Sequence, residues 1–273
     1  MLNRAAVLGS PIAHSLSPAL HRAAYASLGL SDWDYSLLEV ADADGLAAAL
    51  SGGWAGLSLT MPLKRIVLPM LDVVTDLARD VGAVNTVTFG QDGRTGHNTD
   101  VEGIVGALAE ARITAVSPGA GVVIGGGATA TSAVAALARL GDDAPTVVVR
   151  DATRCADLLA AAGRLGVRPQ LVAWGSGAPA RATCVVSTVP ASGSGGVVVP
   201  SVVAGVLLDV VYDPWPTPLA LAWRRAGGHV VSGLEMLVHQ AVGQVRLMTG
   251  LEPAVAVLRD AGLAQLSRGR VQD

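Results

Sequence analysis

Gly121-Val-Val-Ile-Gly-Gly-Gly-Ala-Thr-Ala130 joins an all-apolar run to a glycine-rich turn, and the residues after it, Thr131 to Leu140, read as a helix closed by Gly141. A short run with no polar residue is the mark of a strand covered on both faces, as in a parallel sheet. Within the turn, Gly125, Gly127 and Ala130 have the spacing G-x-G-x-x-A. The first glycine permits a tight turn, the second lets backbone approach a pyrophosphate, and the small third residue lets helix pack on strand. In a chain with 33 glycines, the match by itself fits a packing turn as well as a nucleotide site.

The following strand, Thr146 to Val149, separates these readings. In an NAD site it would end in an acid bonded to the ribose. Here it ends in Val149-Arg150-Asp151, with Arg154 one turn further. Two guanidiniums suit a 2′-phosphate, so the spacing predicts NADP. Asp151 has two other readings: acceptor from a ribose hydroxyl in an NAD enzyme, or cap of a helix starting at Thr153.

Outward from this turn, strands and helices alternate, which predicts an α/β chain. Toward the C-terminus come a helix to Leu165, strands at Gln170 to Ala173, Thr183 to Ser187, Val206 to Asp209 and His229 to Val231, then helices Leu234 to Thr249 and Pro253 to Leu266. Ser267 to Asp273 reads as a loose tail. Toward the N-terminus, Ser117-Pro-Gly-Ala-Gly121 marks a boundary. Before it lie strands at Ala5 to Gly9, Asp34 to Val40 and Gly56 to Leu59, and a hairpin of Thr86 to Phe89 with Thr95 to His97 around Gln91-Asp-Gly93. Helices are expected from Ser17, N-capped by that serine before Pro18, at Asp44 to Leu50, after Pro62, from Asp72 to Asp80, and from Val101 to Ala111. The expected domains are an N-terminal α/β domain over residues 1–111, a Rossmann-like domain over 112–233, and helices over 234–273 that return to the first.

Composition narrows the class. With 273 residues, 51% hydrophobic and 15% charged, the chain has ample core and no sign of disorder. A net charge of -3 without basic runs argues against nucleic acid or an anionic membrane as partner. The uncharged stretches Ile113 to Ala138 and Ala182 to Leu208 are broken by Pro and Gly and do not read as membrane spans. Two cysteines, Cys155 and Cys184, fit neither a disulfide framework nor a zinc site, no histidine spacing suggests a metal, and the N-terminus lacks a signal peptide. A cytoplasmic protein is expected.

Of 19 basic residues only Lys64 is a lysine. A lone lysine is most often a surface residue, but an ammonium, unlike a guanidinium, can give up a proton. Other polar residues gather at ends of expected elements: Ser15, Ser17, Thr60, Asn85, Asn98 and Asp100. Singly, each reads as a cap or turn residue.

Together they form a constellation. Gly9-Ser-Pro-Ile-Ala-His-Ser-Leu-Ser-Pro18, Ser58-Leu-Thr-Met-Pro-Leu-Lys64, Gly82-Ala-Val-Asn-Thr86, Gly96-His-Asn-Thr-Asp100 and Gly233-Leu-Glu-Met-Leu-Val-His-Gln-Ala241 stand in the order seen in shikimate dehydrogenases, and the resemblance runs from Val7 to about Leu258. It implies Lys64 and Asp100 as the catalytic pair. It implies Ser15, Ser17, Thr60, Lys64, Asn85, Asp100, Tyr212 and Gln240 as substrate ligands, and Gly125, Gly126, Gly127, Ala128, Thr129, Arg150, Arg154, Thr188 and Gly233 as contacts of NADP. Departures are Ser58 for an asparagine, Val149-Arg150-Asp151 for N-R-T, Ala128 for a glycine and Ser187 for an asparagine.

The activity implied is NADPH-dependent reduction of 3-dehydroshikimate. Hydride arriving at a ketone leaves an alkoxide, which needs a cation or acid beside it, the part Lys64 would play. The serine pair would take the substrate carboxylate. A quinate/shikimate dehydrogenase would use the same residues, and a sensor that has lost catalysis would have no reason to keep Lys64 with Asp100. The sequence leaves a homodimer open.

Overall fold

A computed structural model describes residues 2–175, 182–194, 197–199 and 204–269. The chain runs β1 (Asn3–Gly9), α1 (Ser17–Ser27), β2 (Trp33–Glu39), α2 (Ala43–Leu50), β3 (Gly56–Leu59), α3 (Leu63–Ile66), β4 (Val73–Val74), α4 (Asp76–Val81), β5 (Thr86–Gly90) and β6 (Gly93–His97). It continues through α5 (Asp100–Glu110), β7 (Gly121–Ile124), α6 (Ala128–Arg139), β8 (Thr146–Val149), α7 (Ala156–Arg164), β9 (Gln170–Ala173), β10 (Cys184–Ser187), α8 (Ala191–Ser194), β11 (Val206–Asp209), α9 (Pro218–Arg225) and β12 (His229–Ser232). It closes with α10 (Gly233–Thr249) and α11 (Val255–Gly269). Two compact units result: Met1–Thr99 with Leu237–Asp273, and Asp100–Met236.

The first unit holds a mixed sheet in the order β2-β1-β3-β5-β6-β4. β1 runs parallel to β2 and β3, while β3 and β5 are antiparallel, with Ser58 opposite Thr86. β5 and β6 form the expected hairpin, and Thr86 lies opposite His97. Ala6 and Leu8 of β1 and Leu57 and Leu59 of β3 pack with Leu46 of α2 and Leu63 of α3. Each fully buried leucine of this kind contributes roughly 2 kcal/mol of transfer free energy. α1 packs against α11.

Three expectations are corrected here. Ser17 is the first residue of α1 and not its cap; Leu16 stands at the cap position, and the Ser17 N–H is accepted by Ser15 Oγ at 3.3 Å. Residues 72–80 are not one helix, because Val73 and Val74 pair with Thr95 and Gly96 of β6 and Thr75 is extended (φ -61, ψ 154) before α4 begins. The C-terminal helix runs on through Gly269, so the tail expected from Ser267 is helical there; residues 270–273 lie outside the described part.

The second unit carries an all-parallel sheet in the order β12-β11-β10-β7-β8-β9. Counted from β7 this is 3-2-1-4-5-6, the doubly wound nucleotide-binding order. Val122, Ile124, Val148, Val185 and Leu207 pack with Leu219 and Trp223 of α9, and Ala133, Val134, Ala136 and Leu137 of α6 are buried. Asp142 ties down the approach to β7, accepting from Gly119 N and Gly121 N, each at 2.7 Å. Two helices differ from expectation. α6 begins at Ala128 instead of Thr131, with Gly127 at its cap, and the turn after Asp151 is a 3-10 segment (Ala152–Cys155) that leads into α7. Among the described residues no helix is long and apolar enough to cross a membrane.

Candidate functional site

Strand direction brings most of the polar residues of the first unit to one sheet edge. β1 and β3 are parallel, so their C-terminal ends share that edge; β5 is antiparallel to β3, so it starts there, and β6 ends there. The loop carrying Ser15 and Ser17 leaves from the end of β1, and Thr60 to Lys64 from the end of β3. Asn85 precedes β5, and Asn98 and Thr99 follow β6, with Asp100 next in the chain as the first residue of α5.

Close approach within this edge depends on Gly9, where a Cβ would strike Thr60 Cγ2 and come within 2.8 Å of Met61 O. Ser10 N then bonds Met61 O at 2.9 Å and Thr60 N bonds Leu8 O at 2.9 Å, which sets the turn into α3. Lys64 is half-buried, and its carbonyl accepts from Val84 N at 2.8 Å. Ser15 is half-buried and Ser17 is buried. Beneath Ser17, His21 Nδ1 lies 2.9 Å from its carbonyl, and the ring stacks on Tyr35 at 3.8 Å. Burial pushes the His21 pKa down to about 4. Ser58 accepts from Tyr35 Oη at 2.7 Å, a bond between two buried side chains.

Asn85 is fully buried and anchors a network. Its Nδ2 donates to Thr99 Oγ1 at 2.9 Å and to Gln240 Oε1 at 2.8 Å. Its Oδ1 accepts from Thr99 N at 2.8 Å and from Thr86 Oγ1 at 3.0 Å. Asn98, also buried, donates to Ala83 O at 3.0 Å. Thus Asn85 and Gln240, far apart in sequence, are bonded, while Thr86, Thr99 and Gln244 join the network without having been singled out. The signal available for Gln244 was a second glutamine one turn after Gln240, on the same helix face.

In the second unit the glycine-rich turn lies where strand order reverses, between β7 and β10. Gly125 has φ +122 and its Cβ would strike Thr188 Oγ1, so it admits only glycine. Thr188 holds the turn from the other side, donating from N and from Oγ1 to Ile124 O at 2.8 and 3.0 Å. A Cβ on Gly126 would lie 3.2 Å from Cys155 Sγ. Gly127 is different: its φ of -85 suits any residue, and a Cβ there would meet nothing within 4 Å. Its small size leaves open room before the first turn of α6, which no side chain of the cap residue occupies. Such a helix start suits a phosphate, so these residues fit the dinucleotide. Ala128 and Thr129 open the helix, and the buried Ala130 lets it lie close to the sheet.

Arg150 and Arg154 are both exposed past the end of β8. Asp151 between them takes the capping role: its Oδ1 accepts from Thr153 N at 2.9 Å and from Thr153 Oγ1 at 2.6 Å. Those bonds and the nearby Arg154 hold its carboxyl below the usual range. Tyr212 is half-buried in a loop organised by Asp209, whose Oδ2 accepts from Thr217 Oγ1 at 2.6 Å and whose Oδ1 accepts from Val211 N at 3.3 Å. Burial raises the Asp209 pKa. Gly233 is demanded by packing, since a Cβ would strike the Val210 carbonyl. Asp100 is buried.

The profile of a shikimate dehydrogenase substrate binding domain matches residues 7–87, and that of a shikimate 5′-dehydrogenase C-terminal domain matches residues 233–261. A protein of Geobacter metallireducens named shikimate dehydrogenase (NADP(+)) is 35% identical, over 96% of this chain and 96% of its own. The crystal structure of Mycobacterium tuberculosis shikimate dehydrogenase is 42% identical and superposes with a TM-score of 0.85 over 96% of this chain and 99% of that one. Shikimate 5-dehydrogenase of Thermus thermophilus, solved with NADP(H) and shikimate, is 32% identical with a TM-score of 0.82, covering 97% of this chain and 100% of that one. With relatives this similar over nearly their full length, the chain belongs to the shikimate dehydrogenase family.

Proposed function

We propose that this chain is an NADP-dependent oxidoreductase that reduces 3-dehydroshikimate to shikimate, reversibly, in the cytoplasm, as a step toward chorismate and the aromatic amino acids. The observation that carries this reading is the single sheet edge of the first unit, to which the serine loop, Thr60 to Lys64, Asn85 with its partner Gln240, and Asn98 with Thr99 all come. The names of the relatives support the substrate and the cofactor. Bound NADPH supplies the hydride.

In this reading the second unit holds the dinucleotide. The open room at Gly127 and the start of α6 take the pyrophosphate, Thr188 keeps the turn in shape, and Arg150 and Arg154 pair with the 2′-phosphate. The first unit holds the acid. Ser15 and Ser17 donate to its carboxylate, Thr60 and Gln240 serve its ring oxygens, and Asn85 completes the site by holding the Gln240 amide, with Tyr212 beside the ring. Hydroxyl donors hold a carboxylate more weakly than an arginine fork would, but they place no second cation to compete with the lysine. Lys64 donates a proton to the oxygen that gains negative charge, and Asp100 orients that ammonium and accepts from a ring hydroxyl.

Steady-state assays test this. NADPH should be oxidised on adding 3-dehydroshikimate, faster than NADH, and Lys64→Ala should lower kcat by about 10² or more with little change in KM. A Lys64→Ala loss confined to KM would make Lys64 a binding residue. Wild-type protein that leaves NADPH unoxidised would end the proposal. Quinate, offered in the oxidative direction, measures the breadth of the site.

A further inference from the structure

Gln244 lies on α10 one turn beyond Gln240 and is 1% exposed. Its Nε2 donates to the main-chain carbonyl of Asn85 at 3.3 Å and to Thr86 Oγ1 at 3.2 Å. Neither acceptor depends on it. The Asn85 carbonyl already accepts from Leu59 N at 2.8 Å, and Thr86 Oγ1 already has a bond, donating to Asn85 Oδ1 at 3.0 Å. Meanwhile Gln244 Oε1 is buried and accepts from no donor among the described residues. A buried amide with one end unsatisfied costs stability that an apolar side chain of the same length would not. Satisfying the interior is therefore a poor reason for a glutamine at this position.

The bonds form a circuit. From Gln244 it passes to the hydroxyl of Thr86, from Thr86 to Asn85 Oδ1, and from Asn85 Nδ2 to Gln240 Oε1 at 2.8 Å, returning to the same helix one turn earlier. Because the carbonyl end of Gln240 is engaged by Asn85, its NH₂ group is the end left for a ligand.

We propose that Gln244 is a positioning residue of the substrate site, which through Thr86 and Asn85 fixes the Gln240 amide so that its NH₂ donates to an oxygen of the bound acid. The inference rests on the reaction proposed above for the identity of that acid. Gln244 touches no substrate; it governs which end of Gln240 does.

The experiment uses the full chain and Gln244→Met, a swap that keeps side-chain length and removes the donor. KM for 3-dehydroshikimate should rise about fivefold, the size expected for loosening one well-aimed hydrogen bond, with kcat and the KM for NADPH within about twofold. The thermal midpoint should hold or rise. In a Gln240→Ala background the same substitution should change KM by less than about twofold, since no amide remains to be aimed. Thr86→Val breaks the circuit at its next link and should reproduce the rise; it carries the test should Gln244→Met fold poorly. An unchanged KM in folded variants, or an equal factor with and without Gln240, would assign Gln244 to packing and overturn the inference. Inactive wild-type protein would sink the proposed reaction, and this inference with it; active wild-type protein with an unaltered variant sinks the inference alone.

Discussion

If Arg150 and Arg154 pair with the 2′-phosphate as proposed, Asp151 moderates the site that they form. Two arginines flank it, and its cap on Thr153 keeps it ionised and in place while leaving Oδ2 without a protein partner among the described residues. A fixed carboxylate beside a 2′-phosphate repels it, and the same carboxylate can accept from the hydroxyl that replaces that phosphate in NADH. Asp151→Thr should therefore raise the ratio of kcat/KM for NADPH over NADH by about two- to fivefold, the modest size that solvent screening leaves to an exposed charge pair. The gain should shrink in high salt. Equal ratios for both proteins at low ionic strength would remove Asp151 from cofactor choice. From sequence this residue has two readings, ribose acceptor or helix cap, and only the distance to Thr153 selects the cap. Gln244, Thr86 and Thr99 were less legible still. Their joint role depends on bonds between segments remote in the chain, and the second glutamine after Gln240 marks a helix face without naming the partners it meets.

Among elements, the glycine-rich turn separates two kinds of glycine that look alike on paper. Gly125 is required by its backbone angle and by Thr188, while Gly127 is required by neither angle nor neighbour. Gly125→Ala should lose about 1–3 kcal/mol of stability, seen as a lower thermal midpoint. Gly127→Ala should melt like the parent yet bind NADPH several-fold more weakly in a fluorescence titration, because its methyl occupies the room before α6. Were both to melt alike and bind alike, the turn would be a packing device. Strands such as Gly56 to Leu59, Thr146 to Val149 and Val206 to Asp209 were legible residue for residue, since each is a short, mostly apolar run bounded by polar or turn-forming residues. α9 went unread although Thr217 and Pro218 are a sound start signal, with Thr217 Oγ1 accepting from Ala220 N at 3.0 Å. Only two turns long, it buries too few side chains to show a period. β4 could not be read at all, because two valines become a strand only through β6.

For the molecule as a whole, acid sensitivity should originate in part at His21. Its folded pKa of about 4 lies below the unfolded value of 6.5, so the unfolded chain takes up the proton first. The stability tied to neutral His21 is fully present above pH 6.5 and is lost as pH falls toward 4, by up to about 3 kcal/mol. Urea titrations at pH 7 and pH 4.5 should show this loss in the parent and a shallower one in His21→Gln; equal losses would clear the residue. The chain's own layout adds a constraint on assembly. One unit is a continuous segment, whereas the other is assembled from the two segments on either side of it, α1 against α11 and Asn85 against Gln240. During translation the interior segment can therefore complete itself while α1, made long before, still awaits its mate. The part born first is finished last, and until α10 and α11 emerge its exposed apolar surface depends on chaperones or on speed to escape aggregation.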